Sequence, residues 1–384
     1  MSRFLPTAVL LILALVLGGC GGGSNTSRSS SPPPSPVVPA FVYVGNTSVN
    51  QLTGISVAGG TPAAFSNTLP PPGGNGPAGL AATGKLLYVA NFGSGTVSGF
   101  SFDANSGALQ TLPGSPYMAG AGVNSLALCP GNGGSTPPRF IYATAGPGVF
   151  GYSIASTGQL TPVPGSPFRA GTQPAAVVVD SSCSFVFVAN RGSNDISVFS
   201  VNSGNGLLTA VVGSPFAAGT APMALATGDN FLFAANSSSN NVSAYTINSG
   251  TGSAGFLTQV VGSPFSAGTT PSALVYSSPA LYVANAGSND VSAFLVSAQS
   301  GNFTVVPGSP FLAGTAPRAM ISFSPPTHDV AQQLFLYVAN AGSGNISGFT
   351  IGSGGLLTPV QGFPFPAGTD PEALVFACGQ CGYP

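Results

Sequence analysis

A short apolar and aromatic motif, Tyr-Val-Ala-Asn in its clearest form, recurs along this chain at intervals of 45 to 55 residues. Its seven copies are FVYVGN (41–46), LLYVAN (86–91), FIYATA (140–145), FVFVAN (185–190), FLFAAN (231–236), ALYVAN (280–285) and FLYVAN (335–340). A fixed period of this length indicates one supersecondary unit that is copied along the chain and packs on its neighbours. The chain is therefore expected to fold as an array of seven similar units.

The fifth copy, taken with its flanks, indicates that the unit is made of strands. Its four runs are APMALAT (221–227), FLFAAN (231–236), NVSAYTI (241–247) and FLTQVVGSPFSAG (256–268). Gly, Asn, Ser or Pro bound these runs, as is typical of strands joined by turns, and no helical periodicity is sustained after residue 20. Four strands in about 45 residues indicate a propeller blade. A β-helix is the main alternative for a chain rich in Gly and Asn, but its rungs are usually much shorter.

The two ends of the chain predict how the array closes into a ring. The first copy begins at its second strand, 41–46, and no Pro-x-Ala-Leu run precedes it. The last residues, DPEALVFACG (370–379), are such a run with no second strand after it. The C-terminal strand is thus expected to become the innermost strand of the first blade. We predict an all-β fold, a seven-bladed β-propeller of four-stranded antiparallel blades.

Two repeated features are interpreted as packing and turn devices rather than as binding sites. A Gly-Ser-Pro-Phe type motif ends six copies, and its aromatic residues are Tyr117, Phe168, Phe216, Phe265, Phe311 and Phe365. Repetition in nearly every blade is what packing between blades demands, although an aromatic ligand-binding ring is the alternative. A hairpin role is favoured for the Asn that ends the second strand, because Asn tolerates turns and bonds nearby backbone. The six residues at this position are Asn46, Asn91, Asn190, Asn236, Asn285 and Asn340.

The N-terminal segment resembles a bacterial lipoprotein signal peptide. Arg3 is followed by a nearly continuous apolar run at 4–17, and Leu-Gly-Gly-Cys at 17–20 matches a lipobox. We expect residues 1–19 to be the signal peptide and Cys20 to carry the lipid. An ordinary secretory signal with a chance Cys is the alternative.

The remainder is expected to form a tether and one domain. Residues 20–39 are rich in Gly and Ser and then in Pro, which is typical of a linker. Residues 40–384 form the predicted propeller. The predicted location is the bacterial cell envelope, at the outer membrane or a periplasmic face, with the lipid on Cys20 as the contact with the membrane.

Charge is scarce in this sequence. Only 4% of the residues are charged, whereas an ordinary soluble domain has about 25%. A nucleic-acid surface needs clustered Lys and Arg, and the single Lys of the chain is Lys85, so a nucleic-acid partner is excluded. The surface is expected to consist of Ser, Thr, Asn and Gly and to bind by hydrogen bonding and shape.

Four cysteines follow Cys20, and an exported chain permits disulfides. Cys129 ends the inner strand of the third blade and Cys183 lies in the first hairpin turn of the fourth, so both are expected on one face of adjacent blades. They form a candidate bridge. Cys378 and Cys381 form a C-x-x-C pair, for which a small structural disulfide is favoured over a metal or redox site.

The extended pattern around each motif resembles the YVTN or lactonase-type family of seven-bladed propellers. It is clearest in VANRGSNDISVF (188–199) and VANAGSNDVSAF (283–294), and the resemblance covers 40–379. The resemblance implies the propeller fold. Its members serve as 6-phosphogluconolactonases, cycloisomerases and many uncharacterised envelope proteins, so fold alone does not set the activity.

The family's enzymes carry their functional residues at one mouth of the central channel, in a Pro-Arg-His at the start of an inner strand and an Asn-Glu after a second strand. Pro317 and Arg318 match the first motif, but Ala319 stands where its His would be. No Glu follows any of the second-strand Asn residues. The seven positions that open the inner strands are Ala78, Asn124, Ala175, Met223, Ser272, Arg318 and Glu372.

Other catalytic chemistry finds little support in the sequence. The only His, His328, is in a long connection expected on the face opposite Arg318, where a solvated loop residue is the favoured interpretation. A Ser-His-Asp triad therefore lacks its His, and a zinc site lacks enough ligands. Asp195 and Asp290 are candidate calcium ligands, with turn formation as the favoured interpretation. No metal and no cofactor are predicted.

A small polar cluster remains as the candidate ligand site. Arg318 and Glu372 open neighbouring inner strands, and Asn124 and Arg191 are expected on the same face. The functional interpretation of the cluster is a pocket for a polar or anionic small molecule, and the favoured interpretation of the Arg318–Glu372 pair is an ion pair that locks the closing strand.

The first interpretation of function is a lipid-anchored binding or scaffold module for an unidentified ligand or envelope protein, rather than an enzyme. The alternative is a lactonase-like hydrolase that resembles 6-phosphogluconolactonase. A second alternative is surface adhesion through Ser- and Asn-rich loops.

Overall fold

The computed structural model describes residues 39–57, 62–69, 74–129, 139–146, 148–250, 252, 254–325 and 333–378. The predicted signal peptide, Cys20, nearly all of the tether, His328 and Cys381 lie outside the described residues. No helix in the described part is long and apolar enough to cross a membrane.

The described residues form seven antiparallel β-sheets, one for each copy of the motif. The predicted all-β, seven-bladed propeller is confirmed. Blade 1 consists of β1 (Phe41–Asn46), β2 (Gln51–Ser56), β3 (Ala63–Leu69) and the C-terminal β34 (Pro371–Ala377). Blade 2 consists of β4 (Pro77–Thr83), β5 (Leu86–Asn91), β6 (Thr96–Phe102), β7 (Leu109–Thr111) and β8 (Tyr117–Met118). Blade 3 consists of β9 (Ser125–Leu128), β10 (Phe140–Ala145), β11 (Gly148–Ile154), β12 (Leu160–Pro162) and β13 (Phe168–Arg169).

The other four blades repeat this order. Blade 4 consists of β14 (Pro174–Val179), β15 (Phe185–Asn190), β16 (Asp195–Val201), β17 (Leu208–Ala210) and β18 (Phe216–Ala217). Blade 5 consists of β19 (Pro222–Gly228), β20 (Phe231–Asn236), β21 (Asn241–Ile247), β22 (Leu257–Gln259) and β23 (Phe265–Ser266). Blade 6 consists of β24 (Pro271–Ser277), β25 (Ala280–Asn285), β26 (Asp290–Val296), β27 (Phe303–Val305) and β28 (Phe311–Leu312). Blade 7 consists of β29 (Pro317–Phe323), β30 (Leu334–Asn340), β31 (Asn345–Ile351), a 3₁₀ turn (Ser353–Gly355), β32 (Leu357–Pro359) and β33 (Phe365–Pro366).

Ring closure follows the predicted route. The C-terminal strand β34 pairs with β1, so that Phe41 lies opposite Ala377 and Val44 opposite Leu374. Blade 1 is therefore assembled from both ends of the chain, which leaves no unpaired inner strand at the junction.

A short fifth strand in blades 2 to 7 was not predicted. The aromatic residue of each Gly-Ser-Pro-Phe type motif begins a two-residue strand that pairs with the third strand of its own blade. Phe216 packs edge-on against Phe256, with 4.9 Å between the ring centroids, and Phe265 stacks on Phe303 at 4.0 Å. The motif residues Phe216 and Phe265 are partly buried against cores shared by consecutive blades, in agreement with the packing interpretation.

The core is divided among the junctions between blades. One cluster joins Phe187 and Val198 of blade 4 to Leu232 and Tyr245 of blade 5, and the others follow the same rule. Burial of these side chains is the main driving force for keeping the blades together.

Buried tyrosine hydroxyls also connect consecutive blades, a feature that the sequence analysis missed. In blades 1, 2, 3 and 6 the Tyr of the repeated motif donates a hydrogen bond to the carbonyl of a Gly in the outer hairpin of the next blade. The four pairs are Tyr43 to Gly107 (2.6 Å), Tyr88 to Gly158 (2.7 Å), Tyr142 to Gly206 (2.8 Å) and Tyr282 to Gly355 (3.0 Å). Phe187 and Phe233 take the Tyr position in blades 4 and 5, so the ring is the common element and the hydroxyl is an addition to it.

Candidate functional site

The start of each inner strand is shaped by a shift in strand pairing. In blade 4 Pro174 pairs with Asn190 and Ala176 with Ala189, so Ala175 is left between two register positions. Such an extra residue bends the strand and turns its side chain away from the regular alternation. The same shift isolates Ala78, Met223, Ser272, Arg318 and Glu372.

These positions converge on one cavity of about 430 Å³ at the mouth of the channel. All seven residues that open the inner strands line it, including Asn124 of blade 3. Thr47 and Phe92, which follow the second strands of blades 1 and 2, also contribute. We call this cavity the channel mouth.

Arg318 and Glu372 are the charged residues that line the channel mouth. Arg318 Nε lies 3.7 Å from Glu372 Oε1, and the two side chains are 39% and 33% exposed. The pair predicted from the sequence is thus present in the structure. It is a long contact at a partly solvated site, where an ion pair contributes little to stability.

The surroundings of Glu372 alter its acidity. Burial raises the pKa of the Glu372 carboxyl above its ordinary value, the Arg318 guanidinium lowers it, and Asp370 raises it again through charge repulsion and a side-chain hydrogen bond. Desolvation is the largest of these effects. Asp370 was missed by the sequence analysis, although its position two residues before Glu372 was a signal for it.

The uncharged polar groups of the channel mouth hold neighbouring blades together. Asn124 Oδ1 accepts a hydrogen bond from Thr144 Oγ1 at 2.5 Å, and its Nδ2 donates to the carbonyl of Pro174 in blade 4 at 3.3 Å. Ser272 Oγ donates to the carbonyl of Pro317 in blade 7 at 2.6 Å. Asn124 therefore lines the channel mouth and also fixes its shape.

Arg191 lies at the same end of the propeller but does not line the channel mouth. It follows Asn190, the residue that pairs with the start of the inner strand, and its backbone N–H donates to the carbonyl of Gln173 at 3.0 Å. Its side chain is exposed. The structure therefore brings three of the four candidate ligand-binding residues together in one cavity.

The second-strand Asn residues form buried hydrogen-bond networks within their hairpins. Asn190 Nδ2 donates to Asp195 Oδ1 at 2.7 Å and to Ser197 Oγ at 2.9 Å. Asn285 makes the same contacts with Asp290 and Ser292. Blade 5 uses an uncharged partner, since Asn236 donates to Asn241 at 2.8 Å. These contacts support the turn interpretation of Asp195 and Asp290.

No group of three or more metal-ligating side chains is found in the part of the chain that the structure describes.

Cys129 and Cys183 form a disulfide between blades 3 and 4, with a Cα–Cα distance of 5.2 Å. Cys378 is also disulfide-bonded, and Cys381, its predicted partner, lies outside the described residues. The lipidation of Cys20 stays a prediction.

Residues 150–268 match the sequence family described as "Lactonase, 7-bladed beta-propeller". The predicted resemblance to the lactonase-type propellers is confirmed. The match extends from β11 of blade 3 to the end of blade 5 and includes one of the two clearest repeats, that at 188–199. No curated protein matches the chain.

Solved structures of this type resemble the chain over most of its length. A candidate 6-phosphogluconolactonase from Bacteroides uniformis has a TM-score of 0.72 and 17% identity, covering 89% of this chain and 100% of that chain. A second, from Bacteroides fragilis, has a TM-score of 0.69 and 22% identity, covering 90% and 99%. The periplasmic gluconolactonase PpgL of Pseudomonas aeruginosa has a TM-score of 0.69 and 19% identity, covering 88% and 99%. At these identities the likeness shows the propeller fold alone.

Proposed function

We propose that this protein is a lactonase-like hydrolase of the bacterial envelope and that the channel mouth is its active site. The comparisons support this alternative better than the binding or scaffold role that was the first interpretation of the sequence. The observation that carries the proposal is the Arg318–Glu372 pair, which places a carboxylate and a guanidinium side by side in the central cavity.

Lactone hydrolysis needs a base for the attacking water and a positive group for the oxyanion that forms. In the proposed reaction, Glu372 takes a proton from water while the water oxygen attacks the lactone carbonyl carbon. Negative charge then develops on the carbonyl oxygen beside the Arg318 guanidinium, which stabilises it. Collapse of this intermediate breaks the ring C–O bond, protonated Glu372 returns its proton to the departing alkoxide, and a hydroxy acid is released.

The environment of Glu372 suits a general base. A carboxylate with an ordinary pKa is a weak base at neutral pH, and burial raises the pKa of this one. The 39% exposure of the Arg318 side chain leaves its guanidinium accessible to a substrate. The channel mouth differs from the family's Pro-Arg-His motif, so the base is assigned to the closing strand β34 instead of to a His on β29.

We also propose that the lipid on Cys20 anchors the protein and that the tether separates the propeller from the membrane. The basis is the sequence pattern of residues 1–39. An envelope lactonase would meet substrates outside the cytoplasm, as the description of the Pseudomonas aeruginosa protein as periplasmic also suggests. Palmitate labelling of the wild-type chain and of a Cys20→Ser variant tests the anchor, and equal labelling of the two would contradict it.

The test of activity is hydrolysis of a panel of lactones by the purified full chain. The panel contains 6-phosphogluconolactone, gluconolactone and simple aliphatic lactones, each corrected for spontaneous opening. Glu372→Gln is expected to lower kcat/KM by about 10²-fold or more, and Arg318→Ala by a similar factor. Arg139→Ala is the matched control, because Arg139 precedes β10 and therefore lies at the opposite end of the blade.

Turnover that is lost in both channel-mouth variants and retained in the control would support the proposal. Wild-type turnover no greater than the spontaneous rate would contradict it and would favour the binding-module interpretation. Turnover that survives both substitutions would place the reaction elsewhere.

A further inference from the structure

Four junctions between blades share a hydrogen bond from backbone to side chain. An Asn at the end of the turn between the second and third strands accepts from the N–H of the residue before the next blade's inner-strand Pro. The pairs are Asn50 with Gly76 (2.6 Å), Asn194 with Ala221 (2.8 Å), Asn240 with Thr270 (2.8 Å) and Asn289 with Ala316 (2.8 Å). An amide oxygen thus occupies the same place at each of these junctions.

Three junctions lack this oxygen. Gly95 and Gly344 take the place of the Asn at the junctions from blade 2 to blade 3 and from blade 7 to blade 1, whereas the junction from blade 3 to blade 4 has a shorter turn. Ala145 pairs directly with Gly148 across the hairpin of blade 3, which leaves two residues in the turn. The same hairpin in blade 4 leaves four residues between Asn190 and Asp195, and the last of them supplies the Asn. None of the described residues accepts a hydrogen bond from the N–H of Gln173, the residue before Pro174.

A cavity of about 780 Å³ lies at this junction. Its polar lining includes Arg169, Thr172, Gln173, Ser193 and Asp195, and we call it the junction cavity. A volume of this size is within the range of small-molecule sites.

Arg169 gives the junction cavity a positive charge that the other blades do not have at this position. It ends the short fifth strand of blade 3 and is exposed. The residues at the same place in the other blades are Met118, Ala217, Ser266, Leu312 and Pro366. Within the described residues no carboxylate lies at ion-pair distance from Arg169.

We propose that the junction cavity binds a small hydroxycarboxylate. The ligand carboxylate takes the place that the Asn side-chain oxygen has at four other junctions. It accepts from the N–H of Gln173 and pairs with the Arg169 guanidinium, which forms strong hydrogen bonds to carboxylates.

Asp195 restricts the ligand to a single negative charge. One of its oxygens accepts from Asn190 at 2.7 Å, and its charge is repulsive towards an anion in the cavity. Ligand hydroxyls have acceptors and donors in Asp195, Thr172 and Ser193. A monocarboxylate with hydroxyl groups therefore fits better than a phosphate dianion.

The inference does not depend on the lactonase proposal, since the junction cavity and the channel mouth have no lining residue in common.

The test is calorimetric titration of the full chain with gluconate, and with inorganic phosphate as the comparison anion. Arg169→Gln is expected to weaken gluconate binding about tenfold or more, the usual effect of losing a hydrogen bond to a charged group. Arg139→Gln is the matched control, an exposed Arg at the other end of its blade, and is expected to change nothing.

Asp195→Asn is expected to change gluconate affinity in the opposite direction to Arg169→Gln. Asn241 shows that an Asn at this position still accepts from the second-strand Asn, so the hairpin is retained while the repulsive charge is removed. Gluconate binding is expected to strengthen a few-fold.

Equal gluconate affinity in the wild type and Arg169→Gln would overturn the proposal, as would an equal loss in Arg139→Gln. Phosphate that binds more tightly than gluconate in an Arg169-dependent way would overturn the assigned ligand class.

Discussion

Arg318 and Glu372 belong to β29 and β34, neighbouring inner strands at the junction where the ring closes, and their Nε and Oε1 atoms lie 3.7 Å apart. Closure of the propeller by its C-terminal strand is therefore what assembles the proposed active site. If β34 served only to close the ring, it would not need a charged residue at its bulge, where Glu372 stands.

The pair is expected to matter more for activity than for stability. Arg318→Ala should change the free energy of unfolding by less than about 1 kcal/mol, because both side chains are partly exposed and solvent screens such a pair. Urea unfolding measures this change. A loss of several kcal/mol with lactone turnover intact would instead identify the pair as a structural lock.

The proposed base predicts the acidic limb of the pH profile. Glu372 has to be ionised to accept a proton, so kcat/KM should rise with pH through a pKa above the ordinary value of 4.5. Asp370→Asn removes the neighbouring negative charge and should move this limb to lower pH, whereas Arg318→Ala should move the limb of any residual activity to higher pH. An unchanged limb in Asp370→Asn would exclude Glu372 as the titrating base.

The raised pKa of Glu372 also makes the stability of the fold depend on pH. Since the folded state holds the Glu372 proton more tightly than the unfolded state, the contribution of this group is fully present below pH 4.5 and is lost as the pH rises through the raised pKa.

Removal of one tyrosine hydroxyl between blades is expected to have a modest cost. Tyr88 is buried and donates to the carbonyl of Gly158 at 2.7 Å, so Tyr88→Phe should lower the free energy of unfolding by about 1 kcal/mol. The ring itself should still pack, since blades 4 and 5 have Phe at this position. Tyr117→Phe is the control, because the Tyr117 hydroxyl bonds within its own blade at an exposed site. Equal losses in the two variants would contradict a role for the inter-blade bond.

Reduction of the disulfide between Cys129 and Cys183 should destabilise the propeller. The two residues are 54 positions apart, and a cross-link over such a loop stabilises by about 4 kcal/mol through the entropy of the unfolded chain. Thermal unfolding with and without dithiothreitol measures the effect. A Cys129→Ser, Cys183→Ser double variant should lose this part of the response, and a full response in that variant would assign the effect to another cysteine pair.

The sequence by itself determined the number of blades, the route of closure and the seven positions at the channel mouth. It did so because a repeated unit has to place equivalent residues at equivalent points of the ring. The Arg318–Glu372 pair was predictable for the same reason, since adjacent inner strands start at the same end.

Only the tertiary structure decided which side chains enter which cavity. Arg191 proved to lie outside the channel mouth, Asp370 proved to act on Glu372, and the short turn after Ala145 proved to leave Gln173 without the acceptor found at four other junctions. Such relationships depend on distances between blades and on departures from the repeat. A periodic pattern specifies what all the blades share, and the individual contacts arise where one blade differs from the others.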